Sequence, residues 1–185
     1  MDEIFRQSKK LFDLPTTEKM KLLRNEKHRG YTPLFDQALD PKNQVHAIGD
    51  YKEGYYIGCE VPEDDPNANK PFFVPNIWPD SDLLPGWRQI MEKYDTQALE
   101  VGRVVARIIA LTLKLDANFL DKPNLLGKPL SLLQCCVSLA QVSDPLKGIS
   151  GASAHSDFGR ITLLAIDDVV SLQIYKDKEA IPQRW

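Results

Sequence analysis

Between Pro85 and Leu115 one stripe of side chains recurs every three or four residues: Trp87, Ile90, Met91, Tyr94, Ala98, Val101, Val105, Ile108, Thr112 and Leu115. That period belongs to a helix and not to a strand. It predicts a single α-helix roughly 45 Å long at 1.5 Å per residue. A helix of that length with an apolar stripe needs a partner to lie along, and a sheet is the simplest one. A coiled coil fits less well, because Val104 to Leu113 is apolar almost all round. Asp82 or Ser81 can cap the helix, and Pro85 suits its first turn.

The rest of the chain is read around this rod. Residues 2 to 12 predict a helix, with Ile4, Phe5, Leu11 and Phe12 on one face and acidic and basic residues at the ends the dipole favours. Pro15 stops it, and Thr17 caps a short turn from Glu18 to Leu23. Residues 25 to 80 read as irregular, with a turn at Asp40-Pro41 and short strands around Tyr51 to Gly58. Prolines 62, 66, 71, 75 and 79 forbid a helix or central strand there. Phe72, Phe73, Ile77 and Trp78 are costly to leave in water, so that segment is expected to pack on the core. Asp116 caps a short helix through Leu120. Strands are expected at Leu132 to Leu139, Ile161 to Ile166 and Ser171 to Tyr175, with turns at Asp144 to Gly148 and Asp167-Asp168. Helices followed by antiparallel strands define an α+β chain.

Composition narrows the function classes. With 43% hydrophobic and 26% charged residues and a net charge of −3, no basic field is available for nucleic acid or an anionic membrane. No apolar run approaches the roughly 18 residues of a membrane span. The first ten residues do not read as a signal peptide. Cys59, Cys135 and Cys136 make a poor disulfide framework. A reducing, cytoplasmic setting with thiols buried as small hydrophobes is expected.

Chemistry concentrates in Gly151-Ala152-Ser153-Ala154-His155-Ser156-Asp157-Phe158-Gly159. In extended chain, His155 and Asp157 point to one side and could hold one metal ion. They would be two of the three ligands of a 2-His-1-carboxylate iron site. Alternatives fail on context. Asp157-Phe158-Gly159 lacks the nucleotide loop and catalytic loop of a kinase. Gly148 to Gly151 is not followed by Gly-Lys-Ser/Thr. Zinc would want Cys or more His nearby.

The run from Gly151 to Leu164, then Asp167-Asp168-Val169 and Leu172-Gln173-Ile174, resembles the iron-binding region of the isopenicillin N synthase-like, 2-oxoglutarate- and Fe(II)-dependent dioxygenases. Phe12-Asp13-Leu14-Pro15 with Lys19-Met20, Arg29-Gly30-Tyr31, Asp50-Tyr51-Lys52-Glu53, Asn76-Ile77-Trp78-Pro79 and the long helix resemble that family's leading half. The resemblance implies a double-stranded β-helix (jelly roll) backed by helices, with residues 1–127 as the helical and loop region and 128–185 as an incomplete jelly roll. It implies Fe(II) on His155 and Asp157, 2-oxoglutarate as co-substrate, dioxygen as oxidant and a small organic metabolite as substrate. Tyr31 and Phe158 are candidates to line the substrate cavity. The family's distal His and its co-substrate-binding Arg-x-Ser do not occur in the 28 residues after Asp157, and neither His28 nor His46 sits at family spacing. Ser138 falls where relatives place a co-substrate-contacting Tyr, and Ser171 replaces a usual Gly. Two functions are therefore expected in outline: a dioxygenase-like oxidoreductase, or a truncated and catalytically inactive form of one.

Overall fold

The computed structural model describes residues 1–37, 49–62, 64–66, 70, 72–138, 151–153, 155–157, 159–169, 173–174 and 183–184. Helix α1 spans Asp2–Phe12 and buries Ile4, Gln7, Leu11 and Phe12. Its first turn is acidic and its last turn basic, which complements the helix dipole. Helix α2 spans Thr16–Lys21. Pro15, not Thr17, stands at its N-cap, and no side chain caps it.

Helix α3 runs from Trp87 to Thr112. Neither Asp82 nor Ser81 caps it. The Asp80 side chain accepts the Asp82 amide at 2.9 Å, and the Asp80 carbonyl accepts the amides of Leu83 and Leu84. A separate turn therefore precedes the helix, and Gly86 becomes the N-cap at φ 73°. That left-handed geometry favours a residue without a Cβ. The stripe is also only partly buried. Trp87 and Met91 are fully buried in the core, and Ala106 and Ala110 are covered further along. Val101, Val104, Ile108 and Leu111 stand more than half exposed. The helix outruns the sheet it meets: only its N-terminal turns reach the apolar core. The short helix expected after Asp116 is a 3-10 turn at Phe119–Asp121, tied to α3 by Arg107 and Asp121 at 2.9 Å.

Three strands form one antiparallel sheet in the order β1 (Gly30–Thr32), β2 (Lys52–Gly58), β3 (Leu132–Ser138). The β2–β3 ladder runs from Lys52 opposite Ser138 to Gly58 opposite Leu132, joining residues from either side of position 127. Two strands thus precede α3, so helices and strands are interleaved rather than ordered helices first. β4 (Gln173–Ile174) pairs antiparallel with β5 (Gln183–Arg184). The strand expected at Ile161 to Ile166 does not form. Leu163, Leu164 and Ile166 are 46%, 64% and 47% exposed. An extended segment needs a neighbour for its amides and carbonyls, and no described strand lies beside it. The turn after it is present, with Asp167 accepting the Val169 amide at 3.0 Å. The turns expected at Asp40-Pro41 and Asp144 to Gly148 lie outside the described residues.

Alternation along β2 gives the sheet two unlike faces. Tyr55 and Ile57 point to one side with Tyr31 and Cys135, and pack with Leu11, Trp87 and Met91. Trp87 is the hub: its ring meets Tyr55 edge-on at 5.3 Å, and its indole N–H donates to the Gln7 carbonyl at 3.0 Å. Glu53 shares this side. Both its oxygens take Lys19 Nζ at 2.9 Å, and Oε1 also accepts the Tyr31 hydroxyl at 2.7 Å. The other side carries Lys52, Gly54, Tyr56, Thr32, Gln134, Cys136 and Ser138 and is mostly polar. The proline-rich segment packs as expected. Val74 is buried, Ile77 and Trp78 lie against the core, and the Asn76 amide pairs with both backbone groups of Gly58 at 2.8 and 2.9 Å. No helix among the described residues is long and apolar enough to cross a membrane.

Candidate metal centre

The polar face of the sheet leads to His155 and Asp157. At its end Ser138 Oγ lies 3.1 Å from where a Cβ on Gly151 would stand. The small residue there lets the chain at Gly151 pass close to the end of β3. Two residues later Ser153 meets Asp50, which precedes β2. Asp50 Oδ1 accepts both the Ser153 amide at 3.1 Å and the Ser153 hydroxyl at 2.5 Å. The Ser153 carbonyl in turn lies 2.7 Å from His155 Nδ1.

That last contact sets the chemistry of the ring. A carbonyl oxygen can only accept, so Nδ1 carries the proton and Nε2 of a neutral ring keeps its lone pair. Nε2 faces Asp157 Oδ1 at 3.5 Å. The separation is too long for a good hydrogen bond. It is close to the roughly 3–3.5 Å between two donors that each stand about 2.1 Å from one ion. A neutral imidazole nitrogen and a carboxylate oxygen, both partly open to solvent, are the donor types that a divalent iron accepts. The pair fits two positions of such a site. Among the described residues no cluster of three His, Cys, Asp or Glu side chains is found.

The other histidines are placed differently. His28 adopts φ 60°, its Nδ1 lies 3.0 Å from Arg24 Nη1, and its ring stacks on Phe72. Burial, then the charges of Arg24 and Arg29, lower its pKa. His46 lies outside the described residues, as does Phe158. Tyr31 is 2% exposed, on the sheet face opposite Ser138, with its hydroxyl committed to Glu53. Its ring packs in the core beside α1 and α3. All three cysteines are free. Cys135 is buried as expected, and burial pushes its thiol up to about 11. Cys59 and Cys136 are exposed, against expectation: Cys136 sits on β3 at the side of the sheet away from β1, and Cys59 follows the end of β2. Sequence reasoning missed the link from Asp50 to Ser153. The only available signal was Asp50 heading the Asp-Tyr-Lys-Glu pattern, which does not name a partner 103 residues away.

A strand-and-helix scaffold that carries His-x-Asp beside a polar sheet face defines a class, and comparison with known proteins identifies it. Residues 1–81 match the family described as non-haem dioxygenase in morphine synthesis, N-terminal. Kihadalactone A synthase of Citrus sinensis is 45% identical over the whole of this chain, which spans 55% of that protein. A 2-oxoglutarate-dependent dioxygenase of Monascus ruber is 37% identical over 92% of this chain and 52% of its own length. The crystal structure of JOX2 in complex with 2OG, Fe and JA superposes with a TM-score of 0.68 at 18% identity, over 98% of this chain and 49% of that one. The chain belongs to the 2-oxoglutarate- and Fe(II)-dependent dioxygenase family. It spans about half the length of the curated relatives it matches.

Proposed function

We propose that a protein carrying this chain oxidises a small organic metabolite, using Fe(II), 2-oxoglutarate and dioxygen. His155 and Asp157 are two of the protein ligands to the iron. The observation that carries this reading is the paired donor geometry, Nε2 and Oδ1 at 3.5 Å with Nδ1 tied to the Ser153 carbonyl. Bound Fe(II) and 2-oxoglutarate would activate dioxygen, which is the oxidant. The chain supplies the rest of what is described. His155 offers a neutral nitrogen held in one tautomer, Asp157 offers a charge-neutralising carboxylate, and the polar face of β2 and β3 floors the approach. Phe158, next to Asp157, is the candidate substrate contact. Residues 1–127 act as the helical and loop scaffold region and 128–185 as a partial jelly roll, with the β2–β3 ladder joining the two. Three unpaired thiols suit a reducing, cytoplasmic setting.

Anaerobic titration with Fe(II) in the presence of 2-oxoglutarate tests the reading. A visible charge-transfer band that is lost in His155→Ala and Asp157→Ala supports it. A band that survives both substitutions would place the iron elsewhere.

A further inference from the structure

The geometry points to Asp50 as a positioning residue for His155, acting through Ser153; this rests on the reading of His155 as a metal ligand. Asp50 is 2% exposed, so its carboxylate carries the cost of burial and must be compensated. Lys52 Nζ, itself on a nearly buried side chain, lies 4.0 Å from Oδ2 and provides opposite charge. Yet Oδ2 has no hydrogen-bond partner among the described residues. Among the described residues, all the hydrogen bonding of the side chain goes through Oδ1 to one residue, Ser153. A carboxylate that accepts both the amide and the hydroxyl of one serine fixes that residue's backbone as well as its side chain.

What is fixed is the Ser153 carbonyl, the group that meets His155 Nδ1 at 2.7 Å. The path therefore runs carboxylate, serine, carbonyl, imidazole, and ends at the free Nε2 beside Asp157. Asp50 is in turn held by its backbone. Its amide donates to the Gln37 carbonyl at 2.7 Å, and its carbonyl takes the amides of Phe35 and Lys52. Gly49 before it lies so close to the Phe35 carbonyl that a Cβ would collide. An anchor seated on the sheet thus orients a histidine in a stretch with no strand or helix of its own. Outer partners of metal ligands typically change metal affinity roughly 10–100-fold when removed.

The test reads two quantities on the full chain. The first is the His155 tautomer in the metal-free protein, from long-range proton–nitrogen NMR. The second is Co(II) affinity, from visible absorption. Wild type is expected to show His155 protonated at Nδ1. Asp50→Ala is expected to give mixed tautomers and roughly 10–100-fold weaker Co(II) binding. Asp50→Asn keeps an acceptor oxygen and should restore both. Ser153→Ala loses only the hydroxyl bond and should fall between; it decides the matter if Asp50→Ala fails to fold. An unchanged tautomer and unchanged affinity in folded Asp50→Ala or Ser153→Ala would overturn the proposal. A tautomer that responds to Asp50 in a chain whose His155 takes no Co(II) would uphold the positioning role and defeat the iron-site reading instead.

Discussion

The two faces of the β1–β2–β3 sheet are built by opposite rules. The face toward α1 and α3 is closed. Tyr31, Tyr55, Ile57 and Cys135 pack with Trp87 and Met91, and the Glu53 carboxylate has both oxygens satisfied. The other face is polar and incompletely paired. Thr32 Oγ1 and Arg29 Nε, and Asp50 Oδ2 at the head of β2, are buried without a hydrogen-bond partner among the described residues. Buried polar groups are normally satisfied, so unsatisfied ones need a reason. Asp50 lies at the end of β2 that meets Ser153, Thr32 stands opposite Gly54, and Arg29 lies at the far end beside Gly58. One face holds the chain together, and the other keeps polar groups available beside the candidate centre.

Substitutions can break or sharpen that contrast. The largest loss is expected at Trp87→Ala, which empties the hub of the closed face and removes the indole bond to Gln7. About 3–5 kcal/mol of stability should be lost in denaturant unfolding. Lys19→Met should cost about 3 kcal/mol, because it leaves Glu53 buried against a neutral neighbour. On the open face the expected sign reverses. Thr32→Val replaces an unpartnered hydroxyl with a methyl group of similar shape and should stabilise by about 1 kcal/mol. A loss there as large as at Lys19 would erase the distinction between the faces.

The closed face also has a pH signature. Burial and Glu53 raise the Tyr31 hydroxyl above its ordinary value of 10.0, and burial raises that of Tyr55. The folded state then holds these protons more tightly than the unfolded chain does. Their contribution to stability is complete below pH 10 and is lost as pH rises beyond it. Unfolding midpoints measured on either side of pH 10 should fall on the alkaline side. The smallest effect is chemical. Cys59 is exposed and should be alkylated readily, whereas buried Cys135, with its thiol pushed up to about 11, should react only on unfolding.

Much of this was legible in the sequence where signals are local. The α1 face and the α3 stripe declare themselves through their period, and β3 starts at Leu132 as expected. What escaped depends on distant partners. β1 has three residues, too few for any pattern, and exists because β2 pairs with it. Ile161 to Ile166 has the composition of a strand, but composition does not supply a neighbour to pair with. The Gly86 cap was hidden because a separate turn, closed by Asp80, takes up residues 80–84 where the helix start was expected. His155 and Asp157 were visible as types at a spacing. The tautomer of His155 was not, since it depends on a carbonyl held through Ser153 by Asp50.

The central claim is that, of three histidines, His155 is the one that takes metal. Histidine proton NMR of the chain during Co(II) titration tests it directly. Large paramagnetic shifts are expected at His155 alone, abolished by Asp157→Ala, with His28 and His46 unmoved. Shifts centred on His28 or His46, or spread equally over all three, would contradict it.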